Sequence, residues 1–208
     1  DPLGSPRIRL TGTGFVVADG KKVVTNYHVI APVLSSTGNQ SYVVLSGTGS
    51  AIKMHSITQT KTAPAYDLAV LSIDNALPTV RLADAAMAVE GTEVAFTGFP
   101  ITQVLGLYPA THRGIISAIT PIATPADNST QLQAAALRRL QQPYMVYQLD
   151  ATAYPGNSGS PLFDVKTAQV IGIINQVYVK STREAVLRDP SAISFAIPIS
   201  LLLPLVDN

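Results

Sequence analysis

The stretch YPGNSGSPLF, from Tyr154 to Phe163, places one serine between two glycines and ahead of a proline and an apolar pair. One interpretation is a glycine-rich turn that leads into a strand. In the other, Ser158 is a nucleophile on a tight turn whose small neighbours let backbone N–H groups point at a reacting carbonyl. The second interpretation requires a proton acceptor elsewhere in the chain, and the first does not.

The composition excludes several classes of function. Of 208 residues, 47% are hydrophobic and 13% are charged, and 14 Lys and Arg nearly balance 13 Asp and Glu. The chain therefore lacks the basic field that nucleic-acid binding needs. No apolar run reaches the ~18 residues of a membrane span, and no N-terminal signal pattern is present, which leaves a removed signal or anchor open. Without cysteine there is no disulfide, no thiolate chemistry and no cysteine metal site.

Short runs rich in β-branched residues dominate the chain. GFVVA, Asp19-Gly20 and KKVVTNY predict a hairpin closed by an Asp-Gly turn. Because long helices do not alternate with such runs, the pattern predicts an all-β sandwich or barrel and not a doubly wound sheet. The further predicted strands are SYVVLSG, AIKMHSITQT, DLAVLSI, EVAFTGF, RGIISAIT, YMVYQLD, SPLFD, AQVIGIINQVYV and AISFAIPI.

One segment departs from this pattern. Residues 127–142, DNSTQLQAAALRRLQQ, have capping-box spacing and place Leu132, Ala136 and Leu140 on one helical face. Pro143 ends the predicted amphipathic helix. It is either a covering helix inserted in a loop or a lid or partner-docking element.

A serine nucleophile needs an imidazole to take its proton, and usually a carboxylate that orients the imidazole. The chain has three histidines. His28 lies at the end of the predicted strand VVTNYHVI, a rigid place from which to aim a side chain. His55 lies in an alternating run that predicts a strand surface, and His112 in ATHRG is interpreted as a loop residue.

For the carboxylate, Asp67 begins the apolar run DLAVLSI, whereas Asp74 and Asp84 lie in turn-like contexts. The order His28, Asp67, Ser158 is that of chymotrypsin and differs from the subtilisin and α/β-hydrolase orders. The esterase pattern G-x-S-x-G also fails, because Ser160 stands where its last glycine should be.

The chain resembles the chymotrypsin-fold serine proteases of the HtrA/DegP-like kind through blocks that occur in the family's order: TGTGFVV, VVTNYHVI, YDLAVLSI, TGFP, PGNSGSPLF, VIGIIN and ISFAIPI. The resemblance implies two six-stranded antiparallel β-barrels, with a helix-containing loop insertion and a short C-terminal helix. It implies one protease domain over 1–208, made of an N-terminal barrel (6–80), a connection (81–90) and a C-terminal barrel (91–208).

The resemblance also implies roles for single residues. His28 is the general base, Asp67 its orienting carboxylate and Ser158 the nucleophile. Backbone N–H groups of Gly156 and Ser158, with Asn157 between them, form the oxyanion hole. The implied partner is a polypeptide substrate, with no nucleic acid, no metal and no cofactor, and the implied compartment is extracytoplasmic; the oligomeric state stays open.

The same alignment places a specificity pocket. Thr152 lies at its base, where trypsin-like enzymes keep an aspartate, and no histidine follows Ser158 to bind a glutamate or glutamine side chain. The mostly apolar lining predicts cleavage after uncharged residues such as Val, Ala or Leu. Its other candidate residues are Ala153, Ile193 and Phe195, with Ile174, Asn175 and Gln176 on the strand that would pair with the substrate backbone.

Four features depart from the family. Ser160 replaces a glycine, as in glutamyl endopeptidases, and Asn157 replaces the aspartate that pairs with a new N-terminus in digestive enzymes. No sequence follows Asn208 for a PDZ domain, so we expect either a member without one or a shortened chain. The loop 120–143 is longer than expected. Two alternatives to an active protease therefore stay open: a latent protease whose loop must rearrange, and an inactive binding protein on the same fold.

Overall fold

The first strands of the chain form a hairpin, as the sequence predicts. In the computed structural model β1 (Phe15–Val17) pairs with β2 (Lys22–Asn26), with Phe15 opposite Val24. The connecting turn contains Asp19-Gly20 but starts at Ala18, which has a positive φ of 55°. Asp19 Oδ1 accepts a hydrogen bond from the Lys21 N–H at 3.0 Å, which closes the turn. The structure describes residues 12–31, 41–101, 106–122, 143–175 and 193–207.

Five strands form an antiparallel sheet in the N-terminal half, in the order β1-β2-β5-β4-β3. The family pattern predicts six strands here; five is the number within the described residues. A four-residue helix, α1 (Tyr27–Ile30), follows β2 directly, and a 3-10 turn (Pro64–Tyr66) precedes β5. The remaining strands of this sheet are β3 (Val43–Ser46), β4 (Lys53–Ala63) and β5 (Leu68–Ile73).

Six strands of the C-terminal half form a closed antiparallel barrel, in the order β10-β11-β8-β7-β6-β9. A 3-10 turn (Ile199–Leu201) and the short helix α2 (Leu203–Val206) follow the last strand. The strands are β6 (Glu93–Gly98), β7 (Ala110–Pro121), β8 (Met145–Asp150), β9 (Pro161–Asp164), β10 (Val170–Asn175) and β11 (Ile193–Pro198).

These elements confirm the all-β, chymotrypsin-type fold and the short C-terminal helix. The predicted helix over 127–142 lies outside the described residues. The division at 81–90 stays a prediction; within that segment Leu82 bridges to Val170, and the Ala83 N–H donates to the Val170 carbonyl at 2.9 Å. None of the helices in the described ranges is long and apolar enough to cross a membrane.

One hydrophobic core contains side chains from both sheets. Burial of apolar side chains is the main favourable term in folding, and here it joins the halves. The cluster combines side chains of the first sheet, such as Leu68, with barrel side chains, such as Ile173 and Ile197, all fully buried. A second core cluster fills the barrel around Phe96 and Tyr147. The catalytic candidates lie at the seam where the two halves meet.

Candidate active site

His28 and Asp67 form a closely bonded pair. The Asp67 carboxylate accepts two hydrogen bonds from His28, at Oδ1 from the backbone N–H (2.8 Å) and at Oδ2 from Nδ1 (2.7 Å). Because an ionised carboxylate only accepts, Nδ1 carries the proton and Nε2 keeps a free lone pair. The His28 side chain is 44% exposed and that of Asp67 only 7%. The pair can therefore accept a proton at Nε2 while the buried carboxylate stabilises the imidazolium.

The local backbone explains how this pair forms. His28 lies in α1 and not at the end of a strand, because β2 ends at Asn26, two residues before His28. Asp67 adopts left-handed φ and ψ of 55° and 41° between the 3-10 turn and β5, a conformation that Asp tolerates better than most residues. Its carbonyl accepts from the Tyr27 N–H (3.0 Å) and from Asn26 Nδ2 (3.1 Å). Main-chain and side-chain bonds together join β2, α1 and the start of β5.

The turn that carries Ser158 has hydrogen bonds on every carbonyl from residue 155 to residue 158. Ile101 N–H donates to Pro155 O (2.8 Å), and Ser160 N–H donates to Asn157 O (3.0 Å). The Gly156 and Ser158 carbonyls both accept from Thr13, at 2.6 Å from its hydroxyl and at 2.8 Å from its N–H. Each peptide plane of the turn is thereby fixed in orientation.

The N–H groups of this turn fall into two sets. Asn157 N–H donates to Tyr154 O (3.0 Å) and Gly159 N–H to Ile174 O (2.9 Å). Among the described residues, the N–H groups of Gly156 and Ser158 have no acceptor. In a trans peptide the N–H points opposite to the preceding C=O, so these two groups point away from the partners of Pro155 and Asn157. These are the two N–H groups that the sequence predicts for the oxyanion hole, and that role stays a prediction.

The glycines in this turn are required by space as well as by dihedral angle. Gly156 and Gly159 have φ of +101° and +87°. A Cβ at Gly159 would lie 2.1 Å from the Thr13 carbonyl oxygen, and one at Gly156 would lie 2.3 Å from the Phe99 carbonyl oxygen. The stretch is therefore a tight turn that leads into β9, and the role of Ser158 as a nucleophile stays a prediction.

The turn lies next to the helix that carries His28. A Cβ at Gly12 would be 2.6 Å from Val29 Cγ2 and 2.9 Å from the Ser158 carbonyl oxygen. Gly12 therefore lies close both to the Ser158 carbonyl and to Val29, the residue that follows His28. The structure pairs His28 with Asp67 and places the backbone of Ser158 near the helix that carries His28; the assembly of all three into a triad stays a prediction.

Ser160, the residue that departs from the family pattern, does not face the cleft. It is fully buried, and a Cβ at Gly98 would lie 2.1 Å from its hydroxyl oxygen. Asn157 is also fully buried on the same side, with its Oδ1 2.7 Å from that Cβ position. The small residue at Gly98, in the block TGFP, leaves the room that both polar side chains occupy.

The predicted pocket residues are only partly brought together. Thr152 and Ala153 are partly buried beside the turn, and Asn175 pairs with Phe195 across β10 and β11. Ile174 instead has a fully buried side chain in the barrel core. Its N–H and carbonyl bond to Ser160 and Gly159, so it supports the turn rather than offering backbone groups to a substrate. Ile193 pairs with Asp150, and Gln176 lies outside the described residues.

Sequence reasoning missed Ser194, which bonds to the backbone on both sides of Thr152. Its buried hydroxyl donates to the Ala151 carbonyl (2.7 Å) and accepts from the Ala153 N–H (2.9 Å). These two bonds tie the segment before the catalytic turn to β11. No local signal marks the serine, because both partners lie more than 40 residues away in the chain.

The other two histidines differ from their interpretation. His112 lies in β7 and not in a loop, stacked on Phe96 with 4.9 Å between ring centroids, and its ring lies 5.8 Å from that of Tyr154. Burial lowers the pKa of His112 below its usual value of 6.5. His55 lies in β4 as predicted but is buried, with Nε2 2.8 Å from Ser46 Oγ. Neither contacts the His28–Asp67 pair.

The fold is that of the chymotrypsin-type serine peptidases. The family model of the trypsin-like peptidase domain matches residues 12–173, and the chain belongs to that family.

Curated relatives agree with this assignment. The chain is 32% identical over 202 residues to the "Probable periplasmic serine endoprotease DegP-like" of Halomonas elongata, and 30% identical over 193 residues to a protein of the same name from Pseudomonas putida. These alignments cover 96% and 92% of this chain but 35% and 33% of the relatives. The chain thus spans about a third of the length of the curated relatives it matches.

Solved structures show the same fold. The HtrA-type protease AlgW with a decapeptide superposes with a TM-score of 0.64 at 25% identity, covering 95% of this chain and 50% of that chain. The active form of the Rv3671c protease of M. tuberculosis superposes with a TM-score of 0.61 at 23% identity, covering 90% of this chain and 68% of that chain.

Proposed function

We propose that this chain is a serine endopeptidase domain that hydrolyses peptide bonds through an acyl-enzyme on Ser158. The observation that carries the proposal is the pair of hydrogen bonds that the Asp67 carboxylate accepts from the backbone N–H and Nδ1 of His28. That arrangement sets the tautomer of a general base, and a histidine in a merely structural role does not need it.

The proposed reaction runs in two halves. Ser158 Oγ attacks the substrate carbonyl carbon while its proton passes to His28 Nε2, and Asp67 stabilises the imidazolium. The oxyanion accepts hydrogen bonds from the N–H groups of Gly156 and Ser158. The C–N bond then breaks as His28 returns the proton to the leaving amine, and a water molecule repeats the attack to release the acid. The reaction uses no metal and no cofactor.

The proposed substrate is a polypeptide cut after an uncharged side chain. The pocket candidates that remain beside the turn are Thr152, Ala153, Asn175 and Phe195, which carry no charge. Burying a charged side chain there would cost several kcal/mol, at about the scale known for unpaired polar groups, whereas an aliphatic one gains about 1 to 3 kcal/mol. We place the domain in an extracytoplasmic compartment, because the curated relatives are named periplasmic.

Hydrolysis of an unfolded protein tests this function. We expect the domain to digest reduced casein, and Ser158→Ala to lose activity by several orders of magnitude with its fold intact. Mapping the cleaved bonds by mass spectrometry should show Val, Ala or Leu before the cut. A dominant preference for Arg, Lys or Glu would overturn the pocket, and equal digestion by Ser158→Ala would overturn the mechanism.

A further inference from the structure

Thr13 makes two hydrogen bonds to the turn that carries Ser158, one to Phe99 and one to Thr25. Its N–H donates to Ser158 O (2.8 Å), and its hydroxyl lies 2.6 Å from Gly156 O and 3.0 Å from the Phe99 nitrogen. Its own carbonyl accepts from the Thr25 hydroxyl at 2.7 Å. Thr13 is 5% exposed, so these bonds form away from solvent.

The direction of the hydroxyl proton follows from these partners. The Phe99 backbone N–H can only donate, so the Thr13 oxygen accepts there. A hydroxyl carries one proton, and the Gly156 carbonyl can only accept, so that proton points at Gly156. Valine has the shape of threonine without this proton, which makes the hydroxyl separable from the packing.

The two carbonyls held by Thr13 flank the nucleophile. The Gly156 carbonyl belongs to the same peptide plane as the Asn157 N–H, which donates to Tyr154 on the other side. The Ser158 carbonyl shares a plane with the Gly159 N–H, which donates to Ile174. Rotation of either plane would break bonds on both of its sides. The orientations of the free Gly156 and Ser158 N–H groups depend on these neighbouring planes.

We propose that Thr13 is a positioning residue whose hydroxyl holds the Ser158 turn in the shape that aims the Gly156 and Ser158 N–H groups at the substrate. This inference rests on the proposed peptidase function. Thr13 lies two residues before β1 and bonds through Thr25 to β2, the strand that leads to His28. One residue therefore sets the nucleophile turn relative to the element that carries the general base.

The test compares Thr13→Val, which removes the hydroxyl, with Thr13→Ser, which keeps it. Misplacement of reacting groups by about 1 Å costs about 10²-fold, so we expect kcat of Thr13→Val to fall about 10²-fold with KM changed far less. Thr13→Ser should keep most of the activity. Thr111→Val is the matched control, because it removes an exposed hydroxyl that bonds to Thr97 at 2.9 Å. Wild-type kcat in Thr13→Val, or an equal loss in Thr13→Ser, would overturn the proposal.

A second measurement does not depend on activity. Hydrogen exchange at the Asn157 amide, followed by NMR, should speed up at least about tenfold in Thr13→Val and stay near wild type in Thr13→Ser, since the plane loses its anchor. Unchanged exchange would refute the positioning role even if the wild-type domain proved inactive. If Thr13→Val does not fold, Thr13→Cys replaces it in both measurements, because a thiol is a much weaker hydrogen-bond donor than a hydroxyl. The chain has no other cysteine.

Discussion

At the scale of single residues, the proposed role of His28 as a base depends on the Asp67 carboxylate. Its two oxygens bond to two different groups of the same residue. Asparagine at this position can keep an oxygen on the His28 backbone N–H. Its amide would then present N–H to Nδ1, so the imidazole proton would sit on Nε2. That atom could no longer accept the proton of Ser158.

Asp67→Asn should therefore lower kcat by about 10⁴-fold with little change in stability, the magnitude associated with the wrong tautomer in a triad of this type. Steady-state kinetics and thermal unfolding of the same samples would measure both effects. A loss of less than about tenfold would mean that the pair is structural and that His28 does not act as the base.

His112 gives a prediction about stability and pH. Its pKa is lowered in the folded protein by burial, so the unfolded state binds the proton more readily. Stability should therefore be complete above the usual pKa of 6.5 and should decline as the pH falls through that value. His112→Phe, which can still stack on Phe96, should reduce the loss of unfolding free energy between about pH 8 and about pH 5. Urea titrations at the two pH values measure it, and an unchanged loss would show that other groups carry the acid sensitivity.

At the scale of elements, the strands could be predicted from sequence and the site geometry only in part. Each run of β-branched residues that stops at Gly, Pro, Asp or Asn became a strand where the structure describes it, because strand formation follows local patterning. The burial of His55 and the place of His112 in β7 were missed, since both depend on which strand lies beside them.

The bonds of the catalytic turn could not have been read from the sequence. Thr13 and Gly156 are 143 residues apart, and the composition of TGTG indicates only a flexible entry to a strand. The order His28, Asp67, Ser158 was readable because it follows the family's blocks. The support for the turn was not, because it arises from the packing of one sheet against the other.

A pair of glycine substitutions separates backbone strain from crowding in the turn. Gly159 and Gly91 have similar φ, +87° and +81°, but only Gly159 has a neighbour in the way; nothing described lies within 4 Å of a Cβ at Gly91. Gly91→Ala should lower the free energy of unfolding by about 1 to 2 kcal/mol. Gly159→Ala should lower it by a further 1 to 3 kcal/mol, roughly, because of the clash with Thr13. Denaturant midpoints measure both, and equal effects would contradict the packing of the turn.

At the scale of the whole molecule, the shared core makes the two sheets depend on each other. Ile173 of the barrel and Leu68 of the first sheet belong to one buried cluster. Loss of packing at either side should weaken the boundary between the sheets, across which Thr13 bonds to the Ser158 turn. The catalytic geometry therefore requires both halves to be folded together.

Ile173→Ala should lower the free energy of unfolding by about 2 to 5 kcal/mol while unfolding stays a single transition. Near-ultraviolet circular dichroism measures tertiary packing, and residual peptidase activity measures whether the two sheets still hold the active site. Plotted against denaturant concentration, the two signals should be lost together. Activity lost well before the tertiary signal would mean that the halves separate, and that the shared core does not hold them.

The central claim is that Ser158 is the nucleophile activated by His28, and labelling with a fluorophosphonate tests it most directly. The chain contains a second candidate for labelling, since Ser46 bonds to a histidine, with its Oγ 2.8 Å from His55 Nε2. Peptide mapping of the labelled wild type should place the phosphonate on Ser158 alone. Labelling should disappear in Ser158→Ala, drop by several orders of magnitude in His28→Ala and stay unchanged in Ser46→Ala. Label on Ser46, or undiminished labelling of His28→Ala, would contradict the account.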